Sequence, residues 1–243
     1  MRGEIDAGSG PQAVVCLHGW CCYPSDFALQ AKARPDGVRI FAPAWIDRLI
    51  ASEGEPSLHA IAQDIAHEVR QRGIEKPLLC GHSMGGFLAT YLAGEGLLEC
   101  QGVLVLDSSL PLPAPDRDRY LALTRRLAQA DYESVFRRFA RESFFAPQER
   151  GPRAEAIVAG MLERPHPLAV TLLEQVCTHD FDPALSRIEV PFHVVAAETG
   201  VLDLPALRAR TPQATGERLP GTGHFLTHFA PDEVNRAIAT CLA

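Results

Sequence analysis

The chain has 243 residues, 47% of them hydrophobic and 22% charged, which is ordinary for a globular protein with one well-buried core. Its formal net charge of −7 lacks the basic excess that binding to a polyphosphate requires, so no nucleic acid is expected as a partner. The N-terminus carries charges without an apolar signal region, and no stretch is apolar over the length of a membrane span; a cytoplasmic protein without membrane contact is expected.

Residues 13–18 are an apolar run that reads as a buried strand, and residues 38–43 are another, with a helix from about Ser25 to Arg34 between them. Ser57 has the chemistry of an N-cap for a helix to about Arg72, whose Leu58, Ile61, Ile65 and Val69 share one face. A strand at 77–82 leads into Gly81-His82-Ser83-Met84-Gly85-Gly86, and a helix follows to about Leu98. Residues 102–107 make a fourth strand. Alternation of this kind predicts an α/β fold, a mostly parallel central sheet with helices on both faces.

From 110 to 187 the strand pattern stops, and helical segments are broken at Pro111-Leu112-Pro113, Pro147, Gly151-Pro152, Pro165-His166-Pro167 and Pro183. Within this stretch Arg137, Arg138 and Arg141 alternate with Phe136 and Phe139, as on the solvated face of an amphipathic helix. Strands resume at 192–197 and near 215–219, and a helix at 231–242 closes the chain. The expected organisation is a core of 1–109 and 188–243 interrupted by a helical insert, 110–187. The seven cysteines are odd in number and form no C-x-x-C pair, which fits free thiols in a reducing compartment.

The segment Gly81 to Gly85 is a G-x-S-x-G sequence placed between a strand and a helix. At average glycine and serine usage this pattern arises by chance in fewer than about one chain in ten of this length. The context is that of a nucleophile elbow, where a sharp turn leaves no room for side chains two residues either side of the serine. Gly86 has a packing explanation, letting the helix approach the next strand. Ser83 is therefore the candidate nucleophile. Serine needs a base within hydrogen-bond reach and an acid behind that base. In open α/β sheets the site lies at the carboxyl ends of the strands. His224 follows the last predicted strand in the glycine-rich run Gly221-Thr222-Gly223-His224-Phe225, and is the candidate base. A tetrahedral intermediate also needs N–H donors. Met84, next after the nucleophile, supplies one, and Trp20 the other, from His18-Gly19-Trp20, where Gly19 permits a backbone turn.

His18-Gly19-Trp20, the elbow, the insert and Gly223-His224-Phe225 together resemble the α/β-hydrolase-fold proteins with a helical cap, in their esterase, lactonase and C–C-bond hydrolase branch. The resemblance spans nearly the whole chain. It implies an α/β-hydrolase fold with a helical cap, and serine in the elbow sets the chain apart from the dehalogenase and epoxide hydrolase branches, which place a carboxylate there. Two departures stand out. Only seventeen residues precede His18, so the family's first strands are short or missing. The family acid commonly follows the penultimate strand, and here that place falls near Gly200. Three carboxylates are then candidates: Asp107 at the end of the strand after the elbow helix, a placement found in part of the family, Asp203, and Glu198. Asp107 is preferred because its strand neighbours that of the nucleophile. As alternative roles, Asp107 would only cap or brace the elbow region, Asp203 makes a good helix N-cap and Glu198 an ordinary surface residue.

Phe136, Phe139, Phe144, Phe145, Leu168 and Leu172 of the insert are expected to pack it onto the sheet rather than to line a ligand pocket, though one surface often does both, and no cation site for a carboxylate substrate stands out. The expected activity is a serine hydrolase acting on a small, apolar or aromatic carboxylic ester, thioester or lactone through an acyl-enzyme. Acyl transfer, amide hydrolysis, C–C cleavage and perhydrolysis share the same site chemistry, and a ligand-binding protein on the same fold is the alternative of a different class. The expected partner is a small-molecule substrate, with the chain a monomer or homodimer. No cofactor is expected, and no metal, since no metal-ligand spacing or phosphate-binding glycine motif occurs.

Overall fold

Seven strands pair into one sheet in the computed structural model, which describes residues 3–52, 56–129 and 131–243. They are β1 (Ile5–Ala7), β2 (Gln12–Leu17), β3 (Val38–Ala42), β4 (Leu78–His82), β5 (Gly102–Leu106), β6 (Phe192–Ala197) and β7 (Thr215–Leu219), in the spatial order β1-β3-β2-β4-β5-β6-β7. Only β1 runs antiparallel to its neighbour, β3. Three residues long, β1 is all the strand that the described residues place ahead of β2.

The helices are α1 (Ala28–Lys32), α2 (Trp45–Ala51), α3 (Leu58–Gln71), α4 (Met84–Gly94), α5 (Ala114–Leu127), α6 (Tyr132–Ser143), α7 (Pro152–Leu162), α8 (His166–Thr178), α9 (Asp182–Ser186), α10 (Leu204–Arg208), α11 (Leu226–Phe229) and α12 (Pro231–Leu242). Ser57 caps α3, its hydroxyl accepting from Ala60 N at 3.1 Å. Between β5 and β6 the described residues form helices and no strand.

Parallel strands covered on both faces should be apolar without alternation, and β4 and β5 are buried along their whole length. The two faces carry separate cores. Val15, Leu17, Leu79, Val103 and Val105 pack with α3, α4 and the helices between β5 and β6. Val14, Cys16, Leu78, Cys80 and Leu104 pack with Phe27, Val234, Ile238 and Leu242 on the other side.

Some local expectations are revised. The segment from Ser25 to Arg34 is a 3-10 turn, Pro24–Phe27, followed by the single helical turn of α1. The elbow helix stops at Gly94 rather than Leu98, because Gly96 adopts a left-handed φ of 63° and its N–H returns to Ala93 O at 3.1 Å. Two short helices, α2 and α11, have no counterpart in the sequence reading. Seven and four residues are too few to show a helical period.

Candidate active site

The chain leaves β2 for β3 on one side and returns in β4 on the other. This reversal opens a crevice at the carboxyl ends of β2 and β4. Register then decides what meets there. Leu17 pairs with Gly81, which sets residues 18–20 beside the elbow. His82 pairs with Leu106, and Ser83 N–H donates to Leu106 O at 2.9 Å, which sets Asp107 beside Ser83. Asp107 N–H donates to Val195 O at 2.8 Å, carrying the pairing on to β6.

Ser83 has φ 53° and ψ −119°, a strained conformation for a residue with a side chain. The glycines around it are required by contact. A Cβ on Gly81 would run into the Gly85 carbonyl, and one on Gly85 would sit 2.9 Å from His18 O. A Cβ on Gly86 would lie 3.0 Å from Val105 of β5. The Ser83 carbonyl accepts from Ser108 Oγ at 2.6 Å and from Gly86 N at 2.8 Å, so the turn is held from both sides. Gly19 has a second duty beside the expected turn. It begins a turn closed by Cys22 N–H donating to Gly19 O at 3.1 Å, with the left-handed residue at Cys21, φ 57°. Gly19 is small because a Cβ there would lie 3.1 Å from that of Ser83.

Trp20 and Met84 both border the same cavity as Ser83. Met84 opens α4, so its N–H is one of the four that a helix leaves without an internal acceptor. The Trp20 side chain is turned away into the helices: its Nε1–H donates to Ala169 O at 2.7 Å and its ring stacks on Phe136.

The three carboxylates separate cleanly. Asp203 Oδ1 accepts from Ala206 N at 3.0 Å and caps α10. Glu198 Oε2 accepts from Gly221 N at 2.8 Å. Asp107, at φ 50°, meets His224: Nδ1–H donates to Oδ2 at 2.6 Å, while Oδ1 accepts from Ala197 N at 2.8 Å. Burial would raise the Asp107 carboxyl, but the His224 and Ala197 hydrogen bonds outweigh it and hold the group below the ordinary carboxylate value. The place near Gly200 is filled from β5. A Cβ on Gly200 would run into Oδ1 of Asp107 and lie 3.0 Å from its Cγ, so the carboxylate of Asp107 occupies the space of a side chain there. Arg218 Nη1 holds the surrounding turn by donating to Ala197 O at 2.9 Å, Glu198 O at 3.0 Å and Gly200 O.

His224 is fixed along its backbone as well. Its N–H donates to Phe144 O at 2.7 Å, its carbonyl accepts from His82 Nε2–H at 2.8 Å, and the Phe144 ring stacks on the imidazole with centroids 4.8 Å apart. His82 and Ser108 thus shape the site although the sequence reading assigned them no part in it, and Phe144, expected there only as a packing residue, holds the His224 backbone as well. Their signal is weak, because each acts on a backbone atom far away in the chain.

The cavity, about 330 Å³, is walled by Phe87, Phe139, Phe144, Leu173 and Val176, with Asp116, Arg119, Glu142 and Arg150 also on its border. Arg119 and Arg150 are cations in the helical segment that the sequence had not marked out. Cys177 borders it too, but burial pushes its thiol up to about 12, which leaves it a poor rival nucleophile. Among the described residues no three His, Cys, Asp or Glu side chains converge as a metal set, and no helix is long and apolar enough to cross a membrane.

Two buried histidines tie the site to pH. Burial lowers His18, stacked on Trp45, to about 4 and His82 to about 3, from 6.5. Unfolding frees both to take up protons below pH 6.5. Their contribution to stability is therefore complete above that value and is lost as pH falls, by about 1.4 kcal/mol per pH unit for each histidine between 6.5 and 4. Urea unfolding at roughly pH 7.5, 6 and 5 measures the slope, and a level unfolding free energy would contradict it.

The chain belongs to the alpha/beta hydrolase family, whose model matches residues 14–237. A search of curated protein sequences gave no match. Solved structures share the fold at low identity. A thermophilic esterase from Thermogutta terrifontis aligns with TM-score 0.81 and 19% identity over 99% of this chain and 94% of its own. An enol-lactonase from Burkholderia xenovorans gives 0.77 and 16% over 98% and 95%. MenH from S. aureus gives 0.79 and 19% over 100% and 98%.

Proposed function

We propose that the chain is a serine hydrolase that cleaves a small carboxylic ester, thioester or lactone through an acyl-enzyme. The observation that carries this reading is the 2.6 Å hydrogen bond from His224 Nδ1–H to Asp107 Oδ2, on the border of the cavity that also holds Ser83. With Nδ1 carrying the proton, Nε2 is the basic nitrogen. It takes the Ser83 hydroxyl proton as Oγ attacks the carbonyl carbon, and Asp107 offsets the charge on the imidazolium. The Met84 and Trp20 N–H groups receive the oxyanion. The imidazolium then gives its proton to the leaving group, and water, activated by the same nitrogen, releases the acid and restores Ser83. No step calls on a cofactor.

The helices between β5 and β6 act as a cap in this reading, and their Phe139, Phe144, Leu173 and Val176 favour an apolar or aromatic acyl group. The volume of about 330 Å³ lies at the small end for ligand pockets and suits a small substrate. The esterase and enol-lactonase named above lend the reading support by likeness of fold. Seven free cysteines suit a cytoplasmic location.

A panel of p-nitrophenyl esters of graded acyl length, with lactones and thioesters, tests the substrate class, and an activated phosphonate tests the nucleophile. Turnover of a short or aromatic ester and labelling of the peptide that contains Ser83 are expected. Tight binding of a small molecule with neither turnover nor labelling would overturn the proposal in favour of a binding protein.

A further inference from the structure

Glu149 closes the 3-10 turn Pro147–Glu149 between α6 and α7, and it is only 8% exposed. A carboxylate so buried needs hydrogen-bond donors. It finds two, both backbone N–H groups. Oε2 accepts from Ala146 N at 3.0 Å, which fastens its own turn. Oε1 accepts from Gly223 N at 2.9 Å, 74 residues away and immediately before His224. The local turn requires the first bond and has no use for the second.

Around that bond the two segments are zipped together. Phe144 O accepts from His224 N at 2.7 Å, and Gln148 Nε2 donates to Gly221 O. The fit leaves no room for a side chain at 223, where a Cβ would lie 2.6 Å from Phe144 O and 2.7 Å from Ala146 N. Phe144, Phe145, Ala146, Pro147 and Arg150 border the cavity, and Glu149 does not. It meets the loop from behind and reaches the chemistry only through His224.

We propose that Glu149 is a positioning residue for His224. Its carboxylate ties the helical segment between β5 and β6 to the peptide that carries the imidazole, and so keeps Nδ1–H on Asp107. This rests on the reading of His224 as the base. Both oxygens are needed as acceptors. An amide in the same place would offer one acceptor and turn an NH₂ toward the other N–H.

The test compares Glu149→Gln and Glu149→Ala in the full chain with the unaltered protein. Steady-state kinetics on the best p-nitrophenyl ester is one readout. The other is the far-downfield Nδ1–H proton signal of His224 in protein labelled with ¹⁵N-histidine, assigned by its loss in His224→Ala. In Glu149→Gln, kcat is expected to fall about 10- to 100-fold with KM within about threefold, and the Nδ1–H signal to move or broaden. Glu149→Ala should do the same more strongly. If it does not fold, Glu149→Gln decides. A lowered melting temperature with unchanged kcat and an unchanged signal would overturn the proposal, since that is what a purely structural carboxylate would give. If the unaltered protein turns over no ester, the hydrolase reading falls, and the Nδ1–H signal in Glu149→Gln still decides whether Glu149 positions the ring.

Discussion

Ser83→Ala is expected to abolish turnover and leave the fold in place. The expected fall in kcat is on the order of 10⁶-fold, the scale on which removal of a catalytic serine acts when its base remains. The structural duties at this position belong to the backbone: the N–H donates to Leu106 O, and the carbonyl accepts from Ser108 and Gly86. Alanine keeps all three. It also has a Cβ, so φ 53° strains it no more than serine. Kinetics and thermal unfolding, measured together, check both halves. Esterase turnover near the level of the unaltered protein would remove Ser83 from the mechanism.

Asp107→Asn is expected to lower kcat by about 10⁴-fold at unchanged fold. The geometry dictates how the new amide sits. Oδ1 accepts from Ala197 N–H, so the asparagine oxygen stays there and its NH₂ faces Nδ1 of His224. Nδ1 must then accept, the proton moves to Nε2, and the base is in the wrong tautomer for taking a proton from serine. The carboxylate can also be displaced without being touched. Gly200→Ala places a methyl where Oδ1 of Asp107 lies, and should lower kcat about 100-fold through misplacement of the acid. Asp203→Asn and Glu198→Gln, which alter an α10 cap and a contact to Gly221, should stay within about threefold. A loss in Asp203→Asn or Glu198→Gln equal to that in Asp107→Asn would move the acid to that residue.

The parts of this protein that sequence reveals are those fixed by local sterics. Gly81, Gly85 and Gly86 are glycines because backbone or β5 atoms fill the space of their side chains, and the elbow is readable for that reason. β4 and β5 are readable because burial on both faces makes them continuously apolar. The choice among Asp107, Asp203 and Glu198 is different in kind. All three stand near a strand end, and what selects Asp107 is a left-handed φ of 50° together with the pairing of β5 against β6. Neither leaves a mark on a short stretch of chain. His82 and Glu149 are further from view, since they bond backbone atoms 142 and 74 residues away, and backbone atoms have no sequence. Gly19 begins the expected turn, but it also makes room for Ser83, and that second duty leaves no mark on a short stretch of chain.

In the proposed mechanism the acid, Asp107, directly follows β5, which leaves the turn after β6 without a chemical duty. Thr199, Gly200 and Val201 form part of the cavity wall, and Arg218 pins the carbonyls beneath them. Gly200 must stay bare to admit Asp107, whereas the side chains at 199 and 201 border the cavity and take no step in the proposed mechanism. Selectivity for the acyl group can therefore drift or be redesigned at these two positions while the reaction itself is preserved. In a relative whose acid stands on this turn, the same changes would put the catalytic carboxylate at risk.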